Sequence, residues 1–428
     1  MTETLKLCAL KLFAAAGALA ASGAAFAEDK LDKGDTAWML AATVLVLFMT
    51  IPGIALFYAG MARKKNILGT IAQDLAICGI VSVLWFLIGY SLAFSSGGPF
   101  IGGLSFLGMQ GIGVNTLQGS IPQLLFAIFQ MTFAVLTACL ITGAWAGRVK
   151  FSALLVFMVC WSLLVYAPIC HWVWAEDGFF FKMGALDYAG GTVVHINAGI
   201  AGLMGALIIG RRQGYGTIAM QPSNLTFAVI GAAVLWVGWM GFNGGSGLAA
   251  DGRAAMAVVV TQIAAAAGLV GWMACEWYFR GRPSVLGMIS GAVAGLVGIT
   301  PGSGFVEPLP AIVIGLAAGV VCFWAATVVK YKLGYDDSLD AWGVHGVGGI
   351  VGALLTGVFA TSRVTGADLP PMIEQVGIQA LSVLATLVYG GVMSAAILLA
   401  IKKTMGLRVS PDEEQEGLDL ALHGERIE

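Results

Sequence analysis

The sequence predicts an all-α polytopic membrane protein: eleven transmembrane helices, arranged as two inverted five-helix repeats plus a final helix, N-terminus out and C-terminus in. Three observations carry this. First, 58% of the 428 residues are hydrophobic and 11% charged, against about 45–50% and 25% in a soluble domain. Second, the charges gather at the ends: three lie in residues 1–27, six in 28–35 and eleven in 402–428, leaving 26 for the 366 residues of 36–401. That number cannot cover a water-soluble surface, which excludes a cytosolic enzyme. Third, thirteen Lys and Arg fall on one side of the alternating loops and five on the other. This positive-inside bias sets the orientation. Net charge is −2 with no basic stripe, which excludes a nucleic-acid binder.

The elements follow in order. Residues 1–27 carry Lys6 and Lys11, an apolar run over 12–21, and Ala25-Phe26-Ala27 before Glu28. A basic start, a short apolar core and an A-x-A site describe a secretory signal peptide; the run is too brief and Ala-rich to span. Residues 28–35 then form a short extracytoplasmic segment. Nine charge-free intervals of single-span length follow, the first 36–62 and the last 375–401, each near the ~20 apolar residues that cross the hydrocarbon. A longer interval, 75–147, is broken by Ser95-Ser96-Gly97-Gly98-Pro99 into the end of one helix (about 67–94) and a second over 120–147. The repeats cover about 36–210 and 213–362 within a transporter-like core of 36–401, and 402–428 is a cytoplasmic tail. Leader and spans together place the chain in the inner membrane, multi-pass, in contact with lipid.

Glycine is frequent, 60 of 428, with runs such as Gly287-x-x-x-Gly291-x-x-x-Gly295 that let membrane helices approach closely. Six cysteines in apolar segments show no C-x-x-C pairing and read as small core residues, so no metal or cofactor is expected. Asp74 and Glu276 lie near cytoplasmic helix ends as paired or interfacial groups. His171, beside Trp172 and Trp174, fits an outer interfacial belt.

Spans five and ten share a frame. Asp187 precedes His195 by eight residues, and Asp337 precedes His345 by eight. After each histidine comes Gly at +4, Ile at +5 and Gly at +7. Five spans per half force the halves to run inverted, an arrangement that puts substrate sites near the midplane. Eight helical residues place each histidine about 12 Å deep, one from each face of a core about 30 Å thick. Two imidazoles brought to one depth suggest a pathway.

Four stretches point further: Asp187-Tyr-Ala-Gly-Gly-Thr-Val-Val-His195-Ile-Asn-Ala-Gly, Thr50-Ile-Pro-Gly-Ile-Ala-Leu-Phe-Tyr58, Gly238-Trp-Met-Gly-Phe242-Asn-Gly-Gly-Ser246 and Asp340-Ala-Trp-Gly-Val-His345-Gly. The chain resembles the ammonium transporters of the Amt/Mep/Rh family, most of all the bacterial Amt branch, from about Thr36 to the tail. The resemblance implies ammonium or ammonia as cargo, no enzymatic activity, and a homotrimer with one pore per subunit. It implies that Phe133, Trp174 and Ser246 form an outer recruitment site, Phe133 and Phe242 a phenyl gate, and His195 and His345 the twin histidines of the pore, with Asp187 supporting the outer site. Glu416-Gly-Leu-Asp-Leu-Ala-Leu-His-Gly-Glu425 is similar to the family's tail, which implies a cytoplasmic PII-type signalling protein as partner. The tail then ends Arg-Ile-Glu, and the loop between Trp174 and Asp187 carries extra charge.

The implied chemistry is coherent. Ammonium matches potassium in size but has four N–H donors and a proton that can leave. Aromatic faces attract either cation by ~0.5–2 kcal/mol each, and a hydroxyl accepts an N–H. An apolar pore then penalises any intact ion by several kcal/mol, which ammonium evades by giving up its proton. Three other readings remain: an ammonium sensor signalling through its tail, a Rh-like gas channel, and a haem or intramembrane enzyme. The last lacks support, since only three intramembrane histidines exist and no H-E-x-x-H pattern accompanies them.

Overall fold

The structure is a computed structural model describing residues 30–427, so the leader expected at 1–27 lies outside the described residues. Each expected interval carries a helix. Ten are long and apolar enough to cross a membrane: α1 (Lys33–Met61), α2 (Lys64–Phe94), α3 (Gln123–Trp145), α4 (Phe151–Met183), α5 (Gly191–Ile209), α6 (Leu225–Gly245), α7 (Gly252–Arg280), α9 (Pro308–Leu333), α10 (Trp342–Phe359) and α11 (Met372–Thr404). The shorter apolar helix α8 (Val285–Ile299) completes the set. This is a multi-pass, all-α membrane fold. Helix α4 breaks after Trp174 and resumes as one turn at Phe179–Met183. A two-stranded ribbon, β1 (Leu117–Gln118) and β2 (Ile121–Pro122), leads into α3. The apolar pattern of this loop gave no sign of it.

Glycines set the closest approaches. A Cβ on Gly199 of α5 would lie 2.4 Å from the Gly346 Cα of α10, and one on Gly349 would lie 2.9 Å from the Gly191 carbonyl oxygen. The +4 glycine of each repeat therefore marks where α5 and α10 cross, just past the two histidines. Any side chain there would force the helices apart and separate the imidazoles. That is how the repeat in the sequence becomes a site in the fold.

Of the two acids expected to be paired or interfacial, one behaves so. Asp74 is the exception: it is buried, its Oδ1 lies 3.2 Å from the Thr142 hydroxyl, which has a shorter acceptor in the Cys139 carbonyl at 2.8 Å, and its Oδ2 has no partner among the described residues. Glu276 pairs with Arg280 at 3.2 Å and accepts from the Ser284 backbone N–H at 2.7 Å, tying α7 to the start of α8. His171 differs from expectation. It is fully buried, its ring nitrogens lie 2.9 Å and 2.7 Å from the carbonyls of Ala93 and Gly98, and Asp177 is 3.3 Å away. It fastens the loop after α2 rather than lining a lipid interface.

The tail is folded. Ser410 and Glu413 form a capping box that opens α12 (Pro411–Glu416), and α13 (Leu418–His423) follows. Arg408 pairs with buried Glu414 at 2.7 Å, whose other oxygen accepts from the Gln213 N–H at 2.7 Å. Lys65 donates to the Glu414 carbonyl at 2.8 Å, and Asp419 accepts the Gly69 N–H at 2.7 Å, supplying a helix-start acceptor to α2. Beneath it Arg148 and Arg212 hold Asp336, Arg212 at 2.6 Å. Burial would raise the Asp336 carboxyl, but the two guanidiniums hold it below the usual carboxylate range. A disordered tail would need none of these partners.

Candidate functional site

The opening turn of α5 is buried, so its N–H groups need an acceptor. Asp187 supplies it. Its carboxylate accepts the backbone N–H groups of Gly190, Gly191, Thr192 and Val193, and the Thr192 hydroxyl as well. Asp337 does the same for α10, accepting from Ala341 at 3.0 Å, Trp342 at 2.8 Å and Gly343 at 3.3 Å. Each histidine lies in a π-helical opening turn, Gly191–Ile196 or Trp342–Gly346. The eight-residue spacing is thus cap to histidine in both halves. Asp187→Ala would leave four buried N–H groups bare at about 1–3 kcal/mol each. Such a loss approaches the whole stability of a fold. We expect size-exclusion chromatography in detergent to find little monodisperse Asp187→Ala protein, with Asp187→Asn intermediate; native-like yield and unfolding midpoint for the alanine variant would disprove the capping role.

The two rings meet. His195 and His345 approach to 3.4 Å between their Nδ1 atoms, with ring centroids 5.4 Å apart, and both are buried. Their surroundings fix the direction of that bond. Thr300 spends its hydroxyl proton on the Leu296 carbonyl at 2.8 Å and accepts from the Trp239 indole at 2.9 Å. The His195 Nε2, 3.3 Å from the same oxygen, therefore faces an acceptor and carries the proton of a neutral ring. Its Nδ1 is then bare, and His345 Nδ1–H donates to it. The second ring is left with a bare Nε2. Trp239 also stacks on His195, centroids 5.4 Å apart and 22° between planes.

Above the histidines is an aromatic stack. Phe133 of α3 and Phe242 of α6 lie 4.2 Å apart at 17°, and Phe242 lies 6.1 Å from His195. Trp174 meets Phe133 edge-on at 5.6 Å. These rings floor a cavity of about 170 Å³ lined by Phe94, Phe126, Gln130, Phe133, Trp174, Tyr188, Ser246 and Leu248. Ser246 donates to the Phe242 carbonyl at 2.8 Å, leaving its oxygen lone pairs as acceptors. Trp174 is held by its indole N–H to the Asp187 carbonyl at 2.8 Å, so Asp187 positions the outer cavity and the pore helix together. Below the histidines, His345 lines a chamber of about 40 Å³ with Phe57, Tyr58, Val293, Val344 and Asp340.

The seven residues singled out from the sequence are neighbours: Phe133, Trp174 and Ser246 line the cavity, Phe242 stacks on Phe133 and lies 6.1 Å from His195, His195 meets His345, and Asp187 caps the helix that carries His195. Sequence reasoning missed Thr300, Trp239, Gln130 and Tyr188. Thr300 had a weak signal, since Thr300-Pro301-Gly302 ends an apolar run with a polar residue before a breaker. Gln130 and Tyr188 had none.

Residues 37–427 match the family described as the Ammonium Transporter Family. The chain is 49% identical over 409 residues to an ammonium transporter of Aquifex aeolicus, covering 93% of this chain and 94% of that one. It is 46% identical over 402 residues to one of Bacillus subtilis, covering 92% and 98%. Among solved structures it resembles Mep2 of Saccharomyces cerevisiae, with a TM-score of 0.83 at 37% identity over 90% of this chain and 89% of that one. It also resembles a structure reported as "Sensor Amt Protein", with a TM-score of 0.84 at 29% identity over 91% and 98%.

Proposed function

The chain belongs to the ammonium transporter family, and from that premise we propose how it handles its cargo. Ammonium enters the outer cavity, where the faces of Phe133 and Trp174 attract the cation and Ser246 accepts one N–H. It loses its proton near the Phe133–Phe242 stack, because the intact ion cannot enter the apolar pore below. Neutral ammonia passes the paired imidazoles, whose two N–H groups are spent on Thr300 and on each other and whose bare His345 Nε2 can accept one N–H, and leaves through the chamber beside His345. The single observation that carries this reading is the unbroken order of cavity, phenyl stack and imidazole pair. The test is ammonium-driven flux in proteoliposomes of purified protein, with potassium as the competing ion. Native flux that potassium neither blocks nor shares supports the reading; no flux rejects it.

The same reading takes eleven spans with the N-terminus outside, a cleaved leader at 1–27, residence in the inner membrane, and a homotrimer. The positive-inside count and the A-x-A site support these assignments. A sensor role is the second reading, favoured by the likeness to the structure reported as a sensor; a pure sensor shows no flux in the same assay.

The tail belongs to this function too. Its fixed contacts with α2 and with the loop after α5 support docking of a cytoplasmic PII-type protein on a preformed face. Deleting residues after Ser410 removes Glu414, Asp419 and their partners' bonds. We expect severalfold lower flux and no PII co-purification, measured on vesicles and by affinity pull-down. A truncated protein that is fully active and still inhibited by PII would mean the tail takes no part.

A further inference from the structure

The chamber under His345 opens into a second cavity of about 450 Å³, and the two share Met61, Leu286, Leu339 and Asp340. Asp340 is the one ionisable group at that neck. It is not needed as a helix cap, because Asp337 already serves the start of α10. Its backbone has φ +61°, one of three non-glycine residues with positive φ among the described residues. That conformation is strained for a residue with a Cβ and recurs at functional sites.

The Asp340 carboxylate is not free. The Lys330 ammonium pairs with it, lies 3.3 Å from the Asp337 carbonyl oxygen and 5.4 Å from the Tyr331 ring centre. Lys330 is 7% exposed. A carboxylate, a carbonyl and an aromatic face around one nitrogen are what a free monovalent cation with N–H donors would select. The other cation lining the larger cavity, Arg212, is committed to Asp336. Lys330 alone therefore balances Asp340.

We propose that Asp340, the Asp337 carbonyl and Tyr331 form a monovalent-cation subsite at the inner mouth of the pore, and that Lys330 is its tethered occupant. The lysine neutralises the Asp340 carboxylate, so neutral cargo leaves freely while cations on the inner side are not drawn to it beneath His345. This deepens the transport reading and rests on it. The alternative is an ordinary ion pair that only ties α9 to α10.

The experiment compares native protein, Lys330→Met, Lys330→Gln and Lys330→Met/Asp340→Asn. Each is reconstituted with either potassium or choline inside the vesicles at a common ionic strength of about 0.1 M, and ammonium-driven flux is read as the potassium-to-choline ratio. A native ratio near one falling about three- to fivefold in Lys330→Met, as a newly exposed carboxylate holds potassium, and returning in the double variant supports the subsite. An unchanged ratio in Lys330→Met and Lys330→Gln, or a fall that persists without Asp340, overturns it. A second readout does not need transport: the unfolding midpoint in detergent should rise with potassium or methylammonium for the lysine variants and not for the double variant. Should native protein carry no flux, the transport reading fails while this readout still decides the subsite. If neither lysine variant folds, acylation of Lys330 in intact protein decides: a rate raised by potassium or methylammonium over choline at equal ionic strength, with the difference lost in Asp340→Asn, supports the subsite because the free ion displaces its tethered occupant, and a rate independent of the ion overturns it.

Discussion

Ammonium flux through a His195→Ala/His345→Ala variant is expected to fall by about fivefold, since the lost hydrogen bond to the bare His345 Nε2, ~1 kcal/mol, converts to that factor in rate. The rings are buried and bonded to one another, so their loss would leave dissolved ammonia no imidazole partner there. A His195→Asp/His345→Asp variant should fail in the opposite sense. Fixed carboxylates would hold water and cations at the midplane, and a potassium current should appear where native protein passes none. Solid-supported-membrane electrophysiology with ammonium and potassium pulses separates the two. Native flux and native potassium rejection in both double variants would mean that selectivity does not reside in the imidazoles.

Phe133→Ala and Phe242→Ala should differ in kind. Phe133 touches both the outer cavity and Phe242, whereas Phe242 lies between Phe133 and His195 with no exposed surface. Losing Phe133 removes a cation–π face, worth ~0.5–2 kcal/mol, so the half-saturating ammonium concentration should rise by about two- to thirtyfold. Losing Phe242 should leave half-saturation near native and change throughput and potassium rejection. Either truncation also opens a core cavity costing about 3–5 kcal/mol, so Phe→Leu variants and unfolding midpoints must accompany them. Identical shifts in both variants would refute the division of labour.

The span positions were legible because hydropathy and charge are local properties; intervals such as 36–62 and 375–401 reappear as α1 and α11 with ends shifted by a few residues. The histidine pair was legible because Asp187 and Asp337 each precede a histidine by eight residues; the expected depth counted those eight as helix, whereas 187–190 and 337–340 are non-helical and each histidine lies in an opening turn. The phenyl stack was not legible in this way. Phe133 and Phe242 are ordinary apolar residues on helices far apart in sequence, and only the family resemblance singled them out. Thr300, which settles the proton order of the imidazoles, comes from a third helix end and leaves no periodic trace. The folded tail was hidden for a similar reason: its partners, Lys65, Asn66, Gly69 and Gln213, are scattered through the first half. Only the likeness of Glu416–Glu425 to the family's tail pointed to it.

The bond from Gly69 to Asp419 spans 350 residues of chain, and its consequence is one of timing. Helix α2 is among the first segments made, yet this acceptor for its opening turn is among the last. At about 5–20 residues per second, that turn waits roughly 20–70 s for its cap while the remaining spans are synthesised and inserted. During that interval the inner face near Lys65 and Gly69 is open to water and to proteases, and it closes only when translation is complete. A chain that stops early keeps it open. The contact therefore forms only on a chain that has been made at least as far as Asp419.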